Sequence, residues 1–149
     1  MMKNKYDNPE YPMACEYLNQ VKEAEDRVEW LRERAENMKM CLTDTSVHMT
    51  KMPHSDSPDQ QKILTILAEV DEMQGKIAEA KMAAEAVRLE VGKTVCQLND
   101  PVVQKALLLH YVEMHSWREV AKDMGYSVTH VTRLRDAGYA ELEEMLAAS

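Results

Sequence analysis

The chain contains no phenylalanine, and only four glycines and five prolines among its 149 residues. So few breakers, beside twelve methionines, point to a helical protein with adaptable apolar contacts. There are three cysteines, Cys15, Cys41 and Cys96, and no C-x-x-C pair, which removes the common redox and zinc-ribbon motifs. On a continuous first helix Cys15 and Cys41 would stand roughly 39 Å apart at 1.5 Å per residue, too far for a bridge. Thiols in a reducing cytoplasm are the expected state. No apolar run approaches the roughly 18 residues of a membrane span. The opening MMKNKYDNPEYP has no apolar core of a signal peptide, so a cytoplasmic protein that does not engage membranes is expected. No glycine-rich phosphate loop, nucleophile–base–orienter set or informative carboxylate pair is present, so neither an enzyme nor a cofactor is expected. His48, His54, His110 and His115 are not spaced with the cysteines as metal ligands.

What is present is ordinary in amount and distinctive in placement. At 149 residues the chain makes one domain or two small ones. Its net charge of −8 argues against a nucleic-acid binder that works by bulk attraction. From Asp100 onward five Lys/Arg face eight Asp/Glu, but five of those acids (Asp100, Glu113, Glu141, Glu143 and Glu144) lie at the ends of the segment. Between Thr129 and Arg135 there is no acid.

Residues 1–12 are polar with two prolines and read as a loose arm. From Ala14 the apolar positions are Ala14, Tyr17, Val21, Ala24, Val28, Leu31, Ala35, Met38 and Leu42. Steps alternating between three and four form a heptad seam on a helix that starts near Met13. Residues 43–58 cluster Thr, Ser, Asp, His and Pro and read as a loop, long enough to hold a short helical turn. Ser57 and Pro58 then provide a cap and a first-turn proline. A second helix runs to about Leu98 on the seam Ile63, Ile66, Val70, Met73, Ile77, Ala80, Ala84, Val87, Val91, Thr94 and Leu98, widened at its start by Leu64 and Leu67. Gly75 and Gly92 would admit a close neighbouring helix. The second helix would exceed the first by roughly three turns, at 3.6 residues each, and its uncovered seam would call for a homodimer or higher homo-oligomer. Trp30 lies off the seam and reads equally as an interface residue or as a half-exposed Trp resting against neighbouring side chains.

Asp100 and Pro101 restart the chain as cap and first helical residue, opening an apolar helix over 101–113. Then comes SWREVAKDMGYSVTHVTRLRDAGYAELEEML, residues 116–146. Ser116 with Glu119 forms a capping box, Gly125 suits a left-handed helix end, and Ser127 caps a second helix. Trp117 is expected to brace the first of these two helices from the core. Val128, Val131, Leu134 and Leu142 are expected to face inward, leaving Thr129, His130, Thr132, Arg133 and Arg135 outward. That pattern suits a helix-turn-helix whose second helix enters a DNA major groove.

The run from Ser116 to Leu142 resembles, without a gap, region 4 of bacterial primary-type sigma factors. The resemblance rests on Ser116 to Val120, Ala121, Ser127, Val131, Leu134 and the Ala137-to-Leu142 ending, with Leu107 to Tyr111 as the lead-in helix. The wider layout resembles small phage and prophage regulators of the RinA and ArpU type. The resemblance implies that Val128, Thr129, Thr132 and Arg133 read double-stranded DNA with His130 and Arg135 flanking. Where sigma factors carry Arg and Glu, this chain has Val128 and Thr129, so a usual promoter preference does not carry over. Arg118, Lys122, Ser116 and Ser127 are candidates to hold phosphates.

The expected fold is all-α: a long antiparallel, coiled-coil-like helical hairpin over 13–98, followed by a three-helix sigma region 4-like domain over 99–149. The expected function is a phage-type DNA-binding transcription regulator, an activator working with host RNA polymerase and oligomerising through the hairpin. Two alternatives are a polymerase-binding protein that does not touch DNA and a phage DNA-packaging or assembly subunit.

Overall fold

The apolar steps of three and four residues along the two seams each give one buried helical face, and both helices form. The computed structural model describes residues 8–49 and 58–149. Helix α1 spans Pro12–Met49, α2 Pro58–Val95, α3 Pro101–Leu107, α4 Trp117–Met124 and α5 Val128–Ala148. A π-helical turn, Leu108–Val112, extends α3. No strand occurs among the described residues, so the fold is all-α. Nor is any described helix long and apolar enough to cross a membrane.

Helix α1 runs past Leu42 to Met49, through residues expected to be loop. Thr, Ser and Asp lower helix propensity by tenths of a kcal/mol without blocking the hydrogen-bond ladder, as Pro does. Thr43 is accommodated by donating its hydroxyl to the Lys39 carbonyl at 3.2 Å. The rest of the expected loop, residues 50–57 with the Ser57 cap, lies outside the described residues, as do residues 1–7 of the expected arm. Residues 8–11 make a turn, with the Tyr11 amide on the Asn8 carbonyl at 3.1 Å. Both α1 and α2 are 38 residues long. The expected three-turn excess of the second helix is therefore absent, and with it the uncovered end of the seam that would have called for another copy.

The chain divides into two compact units, Ala24–Ala84 and the remainder, Met1–Glu23 with Glu85–Ser149. In the first, Val28, Leu31 and Ala35 of α1 share a buried cluster with Met73, Ile77, Ala80 and Ala84 of α2. Each large member contributes about 1.5–3 kcal/mol of burial. Leu64 and Leu67, expected to widen this seam, are exposed.

In the other unit Ala14, Cys15, Leu18 and Val21 pack with Val91, Val95 and Leu98, and with Val103, Leu107, Tyr111, Tyr139 and Leu142. Cys15, Leu18 and Val95 lie off the sequence seam. They are buried because this stretch of α1 and α2 is covered by the C-terminal elements as well as by its partner helix, which widens the apolar arc. Helix α1 carries no acid in its own first turn. Glu143 of α5 supplies one, accepting from the Ala14 amide at 2.7 Å and the Met13 amide at 3.3 Å. Asp100 caps α3 by accepting from the Val102 amide at 2.9 Å. The Gln104 amide group donates to the carbonyls of Leu98 and Cys96, tying down the end of α2.

The expected single helix over 101–113 changes form at Leu108. The Glu113 amide reaches back to the Leu108 carbonyl at 2.9 Å and the His115 amide to the Leu109 carbonyl at 3.0 Å. These wide rings close the helix end, with Met114 in the left-handed region at φ 64°.

The glycine that permits close approach is neither Gly75 nor Gly92, whose Cβ positions have nothing within 4 Å. It is Gly138 of α5, where a Cβ would meet Leu107 Cδ1 at 2.7 Å and Val103 Cγ1 at 2.8 Å. Gly138→Ala gains about 1 kcal/mol of helix propensity but incurs about 1–3 kcal/mol of overpacking. Thermal unfolding is expected to show a lower midpoint for Gly138→Ala and a higher one for Gly75→Ala. A rise in both would show that Val103 and Leu107 yield freely.

Candidate functional site

The segment α4–turn–α5 is built by local chemistry at each joint. Ser116 Oγ accepts from the Glu119 amide and the Glu119 carboxylate accepts from the Ser116 amide, both at 3.2 Å. The His115 ring donates to the same carboxylate at 3.2 Å. Gly125 ends α4 at φ 73°, a conformation that a side chain would strain. The Tyr126 amide then bonds the Ala121 carbonyl at 2.9 Å. Ser127 Oγ caps α5 by accepting from the His130 amide at 3.1 Å. Val120 and Ala121 of α4 meet Val131 of α5 and Ala106 of α3 in one buried cluster.

These joints leave the start of α5 open to solvent. Thr129, His130 and Arg133 are exposed there. Val128, expected to face inward, is 50% exposed, because burial of α5 begins one turn later at Val131. Thr132 is half-buried, and its hydroxyl donates to the Val128 carbonyl at 2.9 Å. The His130 ring stands edge-on to Tyr126 with centroids 4.5 Å apart. Arg118 and Lys122 of α4 are exposed.

Two expected site residues are committed elsewhere. Arg135 does not point outward. Its guanidinium lies 5.8 Å from the Trp117 ring centroid and 5.7 Å from that of Tyr139, and it donates to Asp136 at 3.0 Å. Ring faces and a carboxylate hold the cation against the body of the unit. Ser116 cannot offer α4 as an anion site, because the Glu119 carboxylate already occupies the position that a phosphate would take.

Behind this face lies an aromatic cluster that the sequence did not reveal. His110 stacks on Trp117 with centroids 3.9 Å apart, and its Nδ1 donates to the His115 carbonyl at 2.7 Å. The hydroxyls of Tyr111 and Tyr139 are hydrogen-bonded to each other. Burial raises the pKa of both phenols, Tyr139 to about 12. Burial also lowers the pKa of His110, with Arg135 and Lys22 pushing the same way and the bond to His115 opposing. The one available cue was the pair of polar-tipped aromatics, Tyr111 and Trp117, beside His110.

The chain matches no family model, no curated protein and no solved structure.

Two outcomes follow from these joints. Ser116→Ala leaves first-turn amides unsatisfied and is expected to lose about 1 kcal/mol of stability in denaturant unfolding. His110 binds its proton less readily folded than unfolded, so it contributes stability that is lost as pH falls below its ordinary value of 6.5. Urea midpoints measured down from pH 7.5 should therefore fall less steeply for His110→Gln than for the native chain. Parallel slopes would exclude His110 as the cause.

Proposed function

We propose that this chain is a sequence-specific DNA-binding transcription regulator. It reads the major groove with the first two turns of α5, in the manner of a sigma region 4-like helix-turn-helix. It is of phage type, activates with host RNA polymerase, and presents its modules in pairs through an antiparallel α1–α2 hairpin. The observation that carries the reading is the acid-free, solvent-open face of Val128, Thr129, His130 and Arg133. A groove about 12 Å wide admits a helix, Arg pairs with guanine in two hydrogen bonds, and Thr or Val methyls meet the thymine methyl. Arg118 and Lys122 on α4 serve the flanking phosphates. One such module on a chain of net charge −8 binds weakly, and pairing raises its effective affinity.

A second reading is favoured by Glu119, whose carboxylate sits at the start of α4. In that reading the same unit docks on polymerase without touching DNA. Capture of polymerase that survives nuclease, with no shift of DNA, would favour it.

The test is selection of bound fragments from random duplex DNA at low salt. Arg133→Ala is expected to weaken binding to the selected site by about 5- to 150-fold, the 1–3 kcal/mol of a bidentate pair, with an unchanged thermal midpoint. Arg135→Ala should instead lower the midpoint, because its cation braces Trp117 and Tyr139. Absence of any enriched sequence, or binding indifferent to Arg133, would sink the proposal.

A further inference from the structure

Within the unit Ala24–Ala84, α1 and α2 border an open cleft of about 640 Å³. Arg27, Trp30 and Arg34 line it from α1, and Lys76, Ala80 and Ala83 are among its α2 lining. Trp30 is 55% exposed, and the Arg34 guanidinium lies 5.6 Å from its ring centroid. A half-exposed Trp clamped by Arg above small residues has the makeup of an interface anchor.

The charges about Trp30 indicate what covers it. At 100° per residue, Arg27 and Arg34 lie about 40–60° to one side of Trp30, and Asp26 and Glu33 about 40–60° to the other. Arg27 and Arg34 line the cleft, where α2 adds one charge of each sign, Lys76 and Glu79, whereas Asp26 and Glu33 are exposed and lie outside its lining. When two copies pair antiparallel through this face, each flank meets its own kind: Arg27 faces Arg34 and Asp26 faces Glu33. When they pair in parallel, each basic flank meets the other copy's acidic flank, while Lys76 and Glu79 offset each other. We propose that this face is covered by a second copy of the chain, with the two α1 helices side by side and parallel and Trp30 beside its own twin. The proposal deepens the paired form of the proposed function by naming its interface, and it is tested without DNA. The exposed parts of the two indoles supply roughly 160–280 Å² toward the roughly 1,200 Å² at the low end of stable interfaces. Ala80 and Ala83 let the second copy's backbone come close enough to bury more. Exposed ion pairs are individually weak, so here they set direction while Trp30 sets affinity.

The experiment measures the mass of the full chain across a concentration series. The native chain is expected to be a dimer. Trp30→Ala and Arg34→Glu should each raise the dissociation constant at least about tenfold, with helical content unchanged. Combining Arg34→Glu with Glu33→Arg should restore pairing, because it exchanges the flanks together. Direction is read by Asn37→Cys with Cys41→Ser. Asn37 lies about two turns beyond Trp30 on the same face, so under mild oxidation it should crosslink to its twin. In an antiparallel pair the two positions are about 21 Å apart along the axis and cannot crosslink. A monomer up to about 1 mM, a dimer indifferent to Trp30, a dimer strengthened by Arg34→Glu, or no crosslink would each overturn the proposal. DNA binding by such a monomer would leave the recognition face of α5 standing on its own.

Discussion

The contact that the C-terminal elements depend on is the crossing of α3 and α5 at Gly138. There the side chains of Val103 and Leu107 press against the Gly138 backbone, closer than any Cβ at that position would allow. The residues that follow use this position in turn. Tyr139 and Leu142 enter the core formed with Ala14, Leu18 and Val21, and Glu143 caps the first turn of α1. A six-residue stretch of α5 thus fixes α3, a share of the core and the start of α1 together. Because α5 is anchored through that stretch, its first two turns need little burial of their own. Val131 alone is fully buried there, and the remaining positions can serve recognition.

The caps and seams of this structure could be read from the sequence, whereas the π-helical turn at Leu108–Val112 could not. The seams, the Asp100 and Ser127 caps, the Ser116–Glu119 box and the left-handed Gly125 each depend on residues within about one helical turn, about 3.6 residues, and the structure has each of them. What could not be read depends on distant partners. Nothing near Gly138 distinguishes it from Gly75; only the arrival of Val103 and Leu107 does. Arg135 looks like its neighbour Arg133 until Trp117 and Tyr139 appear beneath it. The extension of α1 to Met49 has a different cause. Poor helix formers suggest a terminus, yet a long helix already nucleated absorbs several of them at tenths of a kcal/mol each.

Loss of Arg135 from the outward face sharpens the problem of how an acidic chain could hold a polyanion. The exposed cations of α4 and α5 are now Arg118, Lys122 and Arg133. Three phosphate or base contacts give a shallow salt dependence, far from the slope of a binder that neutralises six to ten phosphates. Under the proposed function, discrimination would come from the base edges within reach of Arg133, Thr129 and Val128. It would also come from repetition, which multiplies a weak contact without adding charge to either copy. An acidic chain gains from that arrangement. A net charge of −8 disfavours non-specific attachment to DNA, so under the proposed function two modest recognition surfaces held by one dimer would select a site by sequence and spacing.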